Sequence, residues 1–406
     1  MYQRTMAPII QQVNDSFPVL LVTGPRQVGK TTLLEMCAAD DRNYVTLDDL
    51  DARALAQNDP GLFVQTYPAP LFIDEVQYAP ALFSYIKIAV DKEKKNGMYW
   101  LTGSQKFHLM KGITESLAGR VAVLDLLGLS LAELDQRGGV SKPFLPDSEW
   151  LQHANNMATK SASLMDIYKQ IWTGSFPGVN AYSDTWDIFY RSYIQTYIQR
   201  DVKDVLSITD EISFHKFLGA VAARTGQLLN YTDLGRDVGI DSKTAKAWLS
   251  VLEASGLVYL LIPYHNNLTK RVVKTPKLYF LDTGLCCYLT KWTEFKALEA
   301  GAMSGAILET FLVSEILKSY WHNGKTANIY YYRDLDQKEV DLIIESGDTL
   351  YPVEFKKTGT PSRTASKHFH VLKKLGKNIG PGIVLSFIEK PVPLSPEVTA
   401  VPISFL

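Results

Sequence analysis

The 406-residue sequence has only three cysteines, Cys37, Cys286 and Cys287. An adjacent pair and a distant single fit neither a disulfide framework nor the usual metal spacings, so a reducing compartment is expected. No apolar run approaches the length of a membrane span, and the N-terminus lacks a signal-peptide profile. The expectation is a cytoplasmic protein without a membrane partner. Neither sign of charge is in excess: 42 Lys and Arg nearly cancel 43 Asp and Glu. Any nucleic-acid surface must therefore come from local segregation of charge. Low-complexity tracts are missing as well. What is there, 46% hydrophobic and 21% charged residues, is the composition of a globular chain longer than one core supports, so two or three domains are expected.

The most informative stretch is Thr23-Gly24-Pro25-Arg26-Gln27-Val28-Gly29-Lys30-Thr31-Thr32. The apolar run Val19 to Val22 leads in and Leu33 to Met36 leads out, so a buried strand feeds a glycine-bounded loop that opens a helix. This is the setting of the phosphate-loop pattern G-x-x-x-x-G-K-[ST]. Gly24 and Gly29 let consecutive N–H groups point into one concavity, and the helix that follows presents its positive end to an anion. In this pattern Lys30 serves the outer phosphates and Thr31 offers a hydroxyl to magnesium.

A second strand reading, Pro70-Leu71-Phe72-Ile73, ends in Asp74-Glu75. Beside a phosphate loop this spacing divides labour: Asp74 orients the waters of a magnesium ion held by Thr31, and Glu75 polarises the attacking water. The strand Met98 to Thr102 ends in Gly103-Ser104-Gln105. In a parallel sheet its tip lies between the two earlier sites, where Ser104 or Gln105 would sense the terminal phosphate. A further strand, Val121 to Leu124, follows Ser116-Leu117-Ala118-Gly119-Arg120. Arg120 is the candidate transition-state arginine, acting within the chain or on a neighbouring subunit of a homo-oligomer, with a surface ion pair as the ordinary alternative.

These motifs, the loop Gly24 to Thr31, Asp74-Glu75-Val76-Gln77, Thr102 to Gln105 and Ser116 to Arg120, resemble the AAA-type domain of a large prokaryotic ATPase family. The resemblance implies ATP and Mg²⁺ as ligands. It also implies a C-terminal region of unknown function resembling a winged helix joined to a restriction-endonuclease-like fold.

The stretch Gln136 to Ser163, with Gly138-Gly139, Pro143 and Pro146, reads as a connection or an insertion between domains. A long helix is expected from about Trp186 to Val205, with Tyr190, Tyr193, Ile194, Tyr197 and Ile198 as a packing face. Arg200-Asp201 at its end resembles a recurrent family feature. From Glu211 the pattern becomes helix, turn at Gly239-Ile240, helix Ser242 to Ala254 capped by Asp241, and paired strands Val258 to Ile262 and Lys277 to Leu281. That order is the winged-helix plan. Lys243 and Lys246 on the second helix, and Lys270, Arg271, Lys274 and Lys277 between and at the strands, would contact phosphates or else serve a protein interface.

In the last segment a helix Ile307 to Tyr320 precedes strands at Ile329, Val340 and Leu350, a helix Ser366 to Leu375, and a strand Gly382 to Leu385. Asp341, then Glu354-x-Lys356, in this αβββαβ order resembles the PD-(D/E)xK metal-dependent nuclease core. Two carboxylates on neighbouring strands can hold one magnesium ion, and Lys356 must share a face with Glu354. Glu309 is the expected extra ligand, with Glu315 as second choice. From Tyr351 to Lys377 seven Lys or Arg face one acid, which suits a phosphate backbone.

The fold expected is α/β. It comprises an AAA-type P-loop NTPase domain (1–135), a linker and helical segment (136–210), a winged-helix-like domain (211–300) and a nuclease-like domain (301–406). The function expected is ATP hydrolysis coupled to a DNA-directed module, with RNA also compatible. That module is either a magnesium-dependent nuclease or, in the alternative, an inactive nuclease-like domain that binds protein or nucleic acid only, on a regulatory or scaffold ATPase.

Overall fold

The computed structural model describes every residue except 1, 105–108, 110–112, 114, 158–161, 198–210 and 267–273. Ile198, Arg200, Asp201, Gln105, Lys270 and Arg271 therefore lie outside the described residues.

Five strands form an all-parallel sheet: β1 (Val19–Thr23), β2 (Asn43–Thr46), β3 (Leu71–Asp74), β4 (Tyr99–Gly103) and β5 (Val121–Asp125), in the order β2-β3-β4-β1-β5. Val19, Leu21, Ile73 and Leu101 face one apolar cluster, while Leu20, Val22, Phe72 and Trp100 face another. Burial on both faces is why β1, β3 and β4 read as continuous apolar runs. β4 lies between β3 and β1, so all three strand ends open on the same edge.

The middle is helical, with Leu164–Thr173, Trp186–Tyr197, Glu211–Ala222, Tyr231–Val238 and Ser242–Ala254 as its main helices. Tyr190, Tyr193 and Ile194 are buried on one side, as their spacing predicts. Asn230 and Asp241 cap the helices at Tyr231 and Ser242 by accepting backbone N–H groups, and Gly239 takes a left-handed conformation between them. A small antiparallel sheet follows, in which β8 (Lys277–Phe280) is flanked by β7 (Val258–Leu261) and β6 (Gln227–Leu228).

The C-terminal part is a mixed sheet packed on the helix Ser304–Trp321. Its strands are β9 (Ile329–Arg333), β10 (Glu339–Ser346), β11 (Thr349–Lys356), β12 (Asn378–Ile379), β13 (Gly382–Ser386), β14 (Val392–Ser395) and β15 (Val398–Pro402). β9, β10 and β11 run antiparallel, whereas β13 joins β11, and β15 joins β13, in parallel. The pair β14 and β15 extends beyond the expected αβββαβ order. The expected helix Ser366 to Leu375 is instead two 3₁₀ segments, Arg363–Ser366 and Phe369–Leu375. Phe369 and Leu372, three residues apart and both buried, line up on this tighter helix.

One apolar cluster runs from Met6 and Ile10 through the middle helices to Ile403 and Phe405, so the three parts share a core. Among the described residues no helix is long and apolar enough to cross a membrane.

Candidate functional sites

The glycine loop leaves β1 at Thr23 and enters the helix Lys30–Cys37 through Gly29. Gly24 has φ of 144°, and a Cβ there would lie 2.0 Å from the Leu126 carbonyl oxygen, so only glycine fits. Gly29 has φ of 90° and Gln27, an exposed residue, has φ of 62°. Lys30 is buried and folds back over the loop, where its Nζ donates to the carbonyls of Gly24 (3.0 Å) and Pro25 (2.8 Å). Thr32 points outward and is exposed.

At the end of β3, Thr31 Oγ1 lies 3.0 and 3.1 Å from the two Asp74 carboxylate oxygens. Thr102 on β4 donates to Asp74 and accepts from the Glu75 backbone N–H at 3.2 Å. Glu75 itself is in the left-handed region, φ 56°, and its carboxylate accepts from the Gln77 amide. A non-glycine residue in that conformation is a local cost, of the kind found where a site fixes a side chain. Ser104, at the tip of β4, is buried, and its Oγ has no hydrogen-bond partner among the described residues. The neighbouring hydroxyl and carboxylate of Thr31 and Asp74, together with the orphaned Ser104 hydroxyl, fit a magnesium ion and a terminal phosphate.

Arg120 is elsewhere. Val121 pairs with Val19, at the start of β1, whereas the loop leaves from its end. Arg120 thus lies at the opposite edge of the sheet, where Nε and Nη2 hold the two Asp91 oxygens at 2.6 and 3.0 Å. This pairing lowers the pKa of the exposed Asp91. The in-chain finger role fails on position.

Residues that sequence reasoning missed surround the loop. Arg4 donates to the carbonyls of Val28 and Leu127, each at 2.9 Å, and to Glu133 at 3.1 Å. Pro25 packs against the middle segment, where a Cβ on Gly256 would come within 3.1 Å of its ring. Arg4 lies far from any motif, so only its apolar surroundings, Met6 and Ile10, hinted at burial. Thr102 was visible as the polar residue at the β4 end.

The C-terminal acids are gathered from three elements. Continuing the register Leu342↔Val353 places Asp341 opposite Glu354. Asp341 Oδ2 accepts from the Phe355 N–H at 2.9 Å, and Lys356 Nζ reaches Glu354 at 2.6 Å. Burial, and then the charges of Glu354 and Glu309, push Asp341 well above the carboxylate range. Burial raises Glu354 also, against the opposing pull of Lys356. An open pocket of about 350 Å³ adjoins Glu354 and Lys356 and is lined further by Thr358, Ser362, Lys367 and His368.

Glu309 is taken by other partners. Its Oε1 accepts from Lys277 Nζ at 2.9 Å and from the Tyr279 hydroxyl at 2.6 Å, both from β8. Among the described residues no group of three or more His, Cys, Asp or Glu is placed to hold a metal ion. As arranged, these carboxylates do not fit a bound divalent cation, because cationic side chains and backbone donors already occupy them. Lys277 was expected among the exposed basic residues of the wing and is instead 4% exposed inside this cluster. Lys243, Lys246 and Lys274 are exposed. Glu315, the second choice of ligand, is buried at the other end of its helix, paired with Lys318 at 2.7 Å and accepting from the Leu131 N–H at 2.7 Å.

A five-stranded parallel sheet with a phosphate-type loop after its β1 strand matches the P-loop NTPase fold. More narrowly, residues 16–135 match the model of an AAA domain, and residues 164–296 and 304–406 match two domains of unknown function, DUF8612 and DUF4143. The chain thus contains an AAA-type P-loop domain and, at its C-terminal end, a DUF4143 domain. An uncharacterized protein of Mycobacterium tuberculosis is 29% identical over 367 residues, which cover 90% of this chain and 76% of that protein; one of Mycobacterium bovis gives the same figures. Among solved structures, a Walker-type ATPase of Pyrococcus abyssi shares 14% identity, with TM-score 0.43 over 70% of this chain and 94% of its own. The RuvB Holliday junction branch migration motor of Thermotoga maritima shares 15%, with TM-score 0.32 over 63% and 88%. The AAA-type fold supports ATP binding and hydrolysis.

Proposed function

We propose that the chain is an ATP-hydrolysing switch whose nucleotide state is passed to a nucleic-acid-directed C-terminal module. The observation that carries the first half is the placement of Thr31, Asp74, Glu75 and Ser104 around one end of the sheet. In this reading the N–H groups of Gly24 to Thr32 cradle the phosphates, and Lys30 leaves its carbonyl partners for the outer phosphates. Thr31 and Asp74 would hold a magnesium ion, which neutralises developing charge. Glu75, braced by Gln77, orients the attacking water, and Ser104 meets the terminal phosphate. Arg120 retains a role only towards a neighbouring subunit.

The second half rests on local charge. Lys367 lines the Lys356 pocket and is exposed, as are Arg363, Lys373 and Lys374 on the two 3₁₀ segments, and Lys243 and Lys246 are exposed on the helix Ser242–Ala254 of a winged-helix-like middle. Such faces suit the phosphates of DNA or RNA. The engagement of Glu309 by Lys277 favours the second reading of the C-terminal domain, a nuclease-like fold that binds without cleaving. The domain limits 1–135, 136–210, 211–300 and 301–406 belong to the same proposal.

The test is ATP turnover by the full chain, with and without DNA or RNA, in the wild type, Lys30→Ala and Glu75→Gln. Turnover lost in both variants and stimulated by nucleic acid supports the reading. Turnover that survives in both variants sinks it.

A further inference from the structure

Resting on the nuclease-like reading of the C-terminal acids, we propose that Lys277 is the resident cation of that cluster, and that a divalent metal ion enters only when its ammonium leaves. Lys277 Nζ stands 2.9 Å from Glu309 and 2.5 Å from Glu339. Glu309 comes from the helix Ser304–Trp321, while Glu339 and Asp341 lie two apart on β10, beside the irregularity between Val340 and Ile343. Lys277 and Tyr279 are likewise two apart on β8, and both reach Glu309. Two carboxylates, Glu309 and Glu339, thus hold an ammonium from the preceding segment of the chain, and Asp341 also feels its charge.

Chemistry makes the two cations exclusive. A buried ammonium needs paired carboxylates, and a divalent ion would need the same oxygens while repelling the ammonium at contact distance. The Lys277 ammonium is held between two carboxylates at hydrogen-bond distance. Glu339 also faces Arg333, with Nε at 3.7 Å, which adds a second positive neighbour. Lys277 thereby acts as an internal plug and as a tie between β8 and the C-terminal sheet.

Mn²⁺ binding to the full chain tests this, followed by electron paramagnetic resonance in an Asp74→Asn background that silences the nucleotide-side site. Adding Lys277→Met is expected to tighten Mn²⁺ binding at least tenfold, and adding Asp341→Asn to remove that gain. Equal affinity with and without Lys277→Met overturns the proposal, as does a folded Lys277→Met chain with no gain. Should Lys277→Met not fold, amine acetylation read by mass spectrometry decides. Lys277 is expected to be protected in the wild type and modified at least tenfold faster in Glu309→Gln/Glu339→Gln; equal rates overturn the proposal. DNA cleavage is scored separately: gained Mn²⁺ binding without cleavage keeps the plug and removes the nuclease reading, and cleavage with unchanged Mn²⁺ binding does the reverse.

Discussion

Arg4 Nη1 lies 2.9 Å from the carbonyl oxygen of Val28, so a side chain from the start of the chain grips the phosphate loop from outside. The same guanidinium holds the Leu127 carbonyl and Glu133, which fixes the loop relative to the segment after β5. Replacement by alanine leaves the Glu133 charge buried with one counter-ion fewer. Arg4→Ala is therefore expected to cost about 3 kcal/mol in denaturant unfolding and to raise KM for ATP. Arg4→Lys keeps a charge but lacks the fork that spans three acceptors, so it should recover only part of both effects. An Arg4→Ala chain with wild-type stability would contradict this account.

Glu133 gives the stability a pH dependence. Its carboxylate is fully buried and accepts from the Thr5 N–H at 2.8 Å and the Ser130 N–H at 3.0 Å. Burial alone would raise its pKa, but its neighbours His322 and Arg4, with the Ser130 N–H, outweigh burial and hold it well below the ordinary value of 4.5. A group depressed in the folded state stabilises fully above its unfolded pKa, and that stabilisation fades as pH falls towards the folded value. Melting temperature should fall more steeply between pH 6 and pH 3 in the wild type than in Glu133→Gln. Parallel curves would show that Glu133 does not control acid unfolding.

The nucleotide side was legible because its chemistry is local. Strand, glycine loop and helix are consecutive in sequence, and the Asp74-Glu75 pair announces itself at the end of an apolar strand. Arg4 and His322 meet Glu133 across 129 and 189 positions, respectively, and no local spacing encodes such a contact. Lys277 shows the opposite failure. Its basic neighbours suggested an exposed wing, yet the partners that bury it, Glu309 and Glu339, come from elements that sequence alone cannot bring alongside.

The helix Ser304–Trp321 is pinned to the nucleotide-side domain by a buried pair. Lys318 Nζ holds Glu315 at 2.7 Å and the Leu129 carbonyl at 3.0 Å, while Glu315 accepts from the Leu131 N–H. Lys318→Met removes one charge and strands the other, whereas Lys318→Met/Glu315→Leu removes both. The single variant is expected to lose about 3 to 5 kcal/mol and the double variant distinctly less, because an unpaired buried charge costs more than the pair contributes. Equal losses in the two variants, measured by chemical denaturation, would argue against this view of the contact.

Ser104 separates stability from turnover. Its hydroxyl is buried at the tip of β4 without a partner among the described residues, so the folded chain gains nothing from it. Ser104→Ala removes an unsatisfied polar group and should leave stability unchanged or raise it by about 1 kcal/mol. If the hydroxyl is aimed at the charge that builds on the terminal phosphate, kcat should fall by roughly ten- to a hundredfold while KM for ATP moves little, since the contact strengthens in the transition state. Steady-state ATPase kinetics beside a thermal melt resolve the two effects. Loss of stability with unchanged kcat would make Ser104 a packing residue and shift the sensing role away from this side chain.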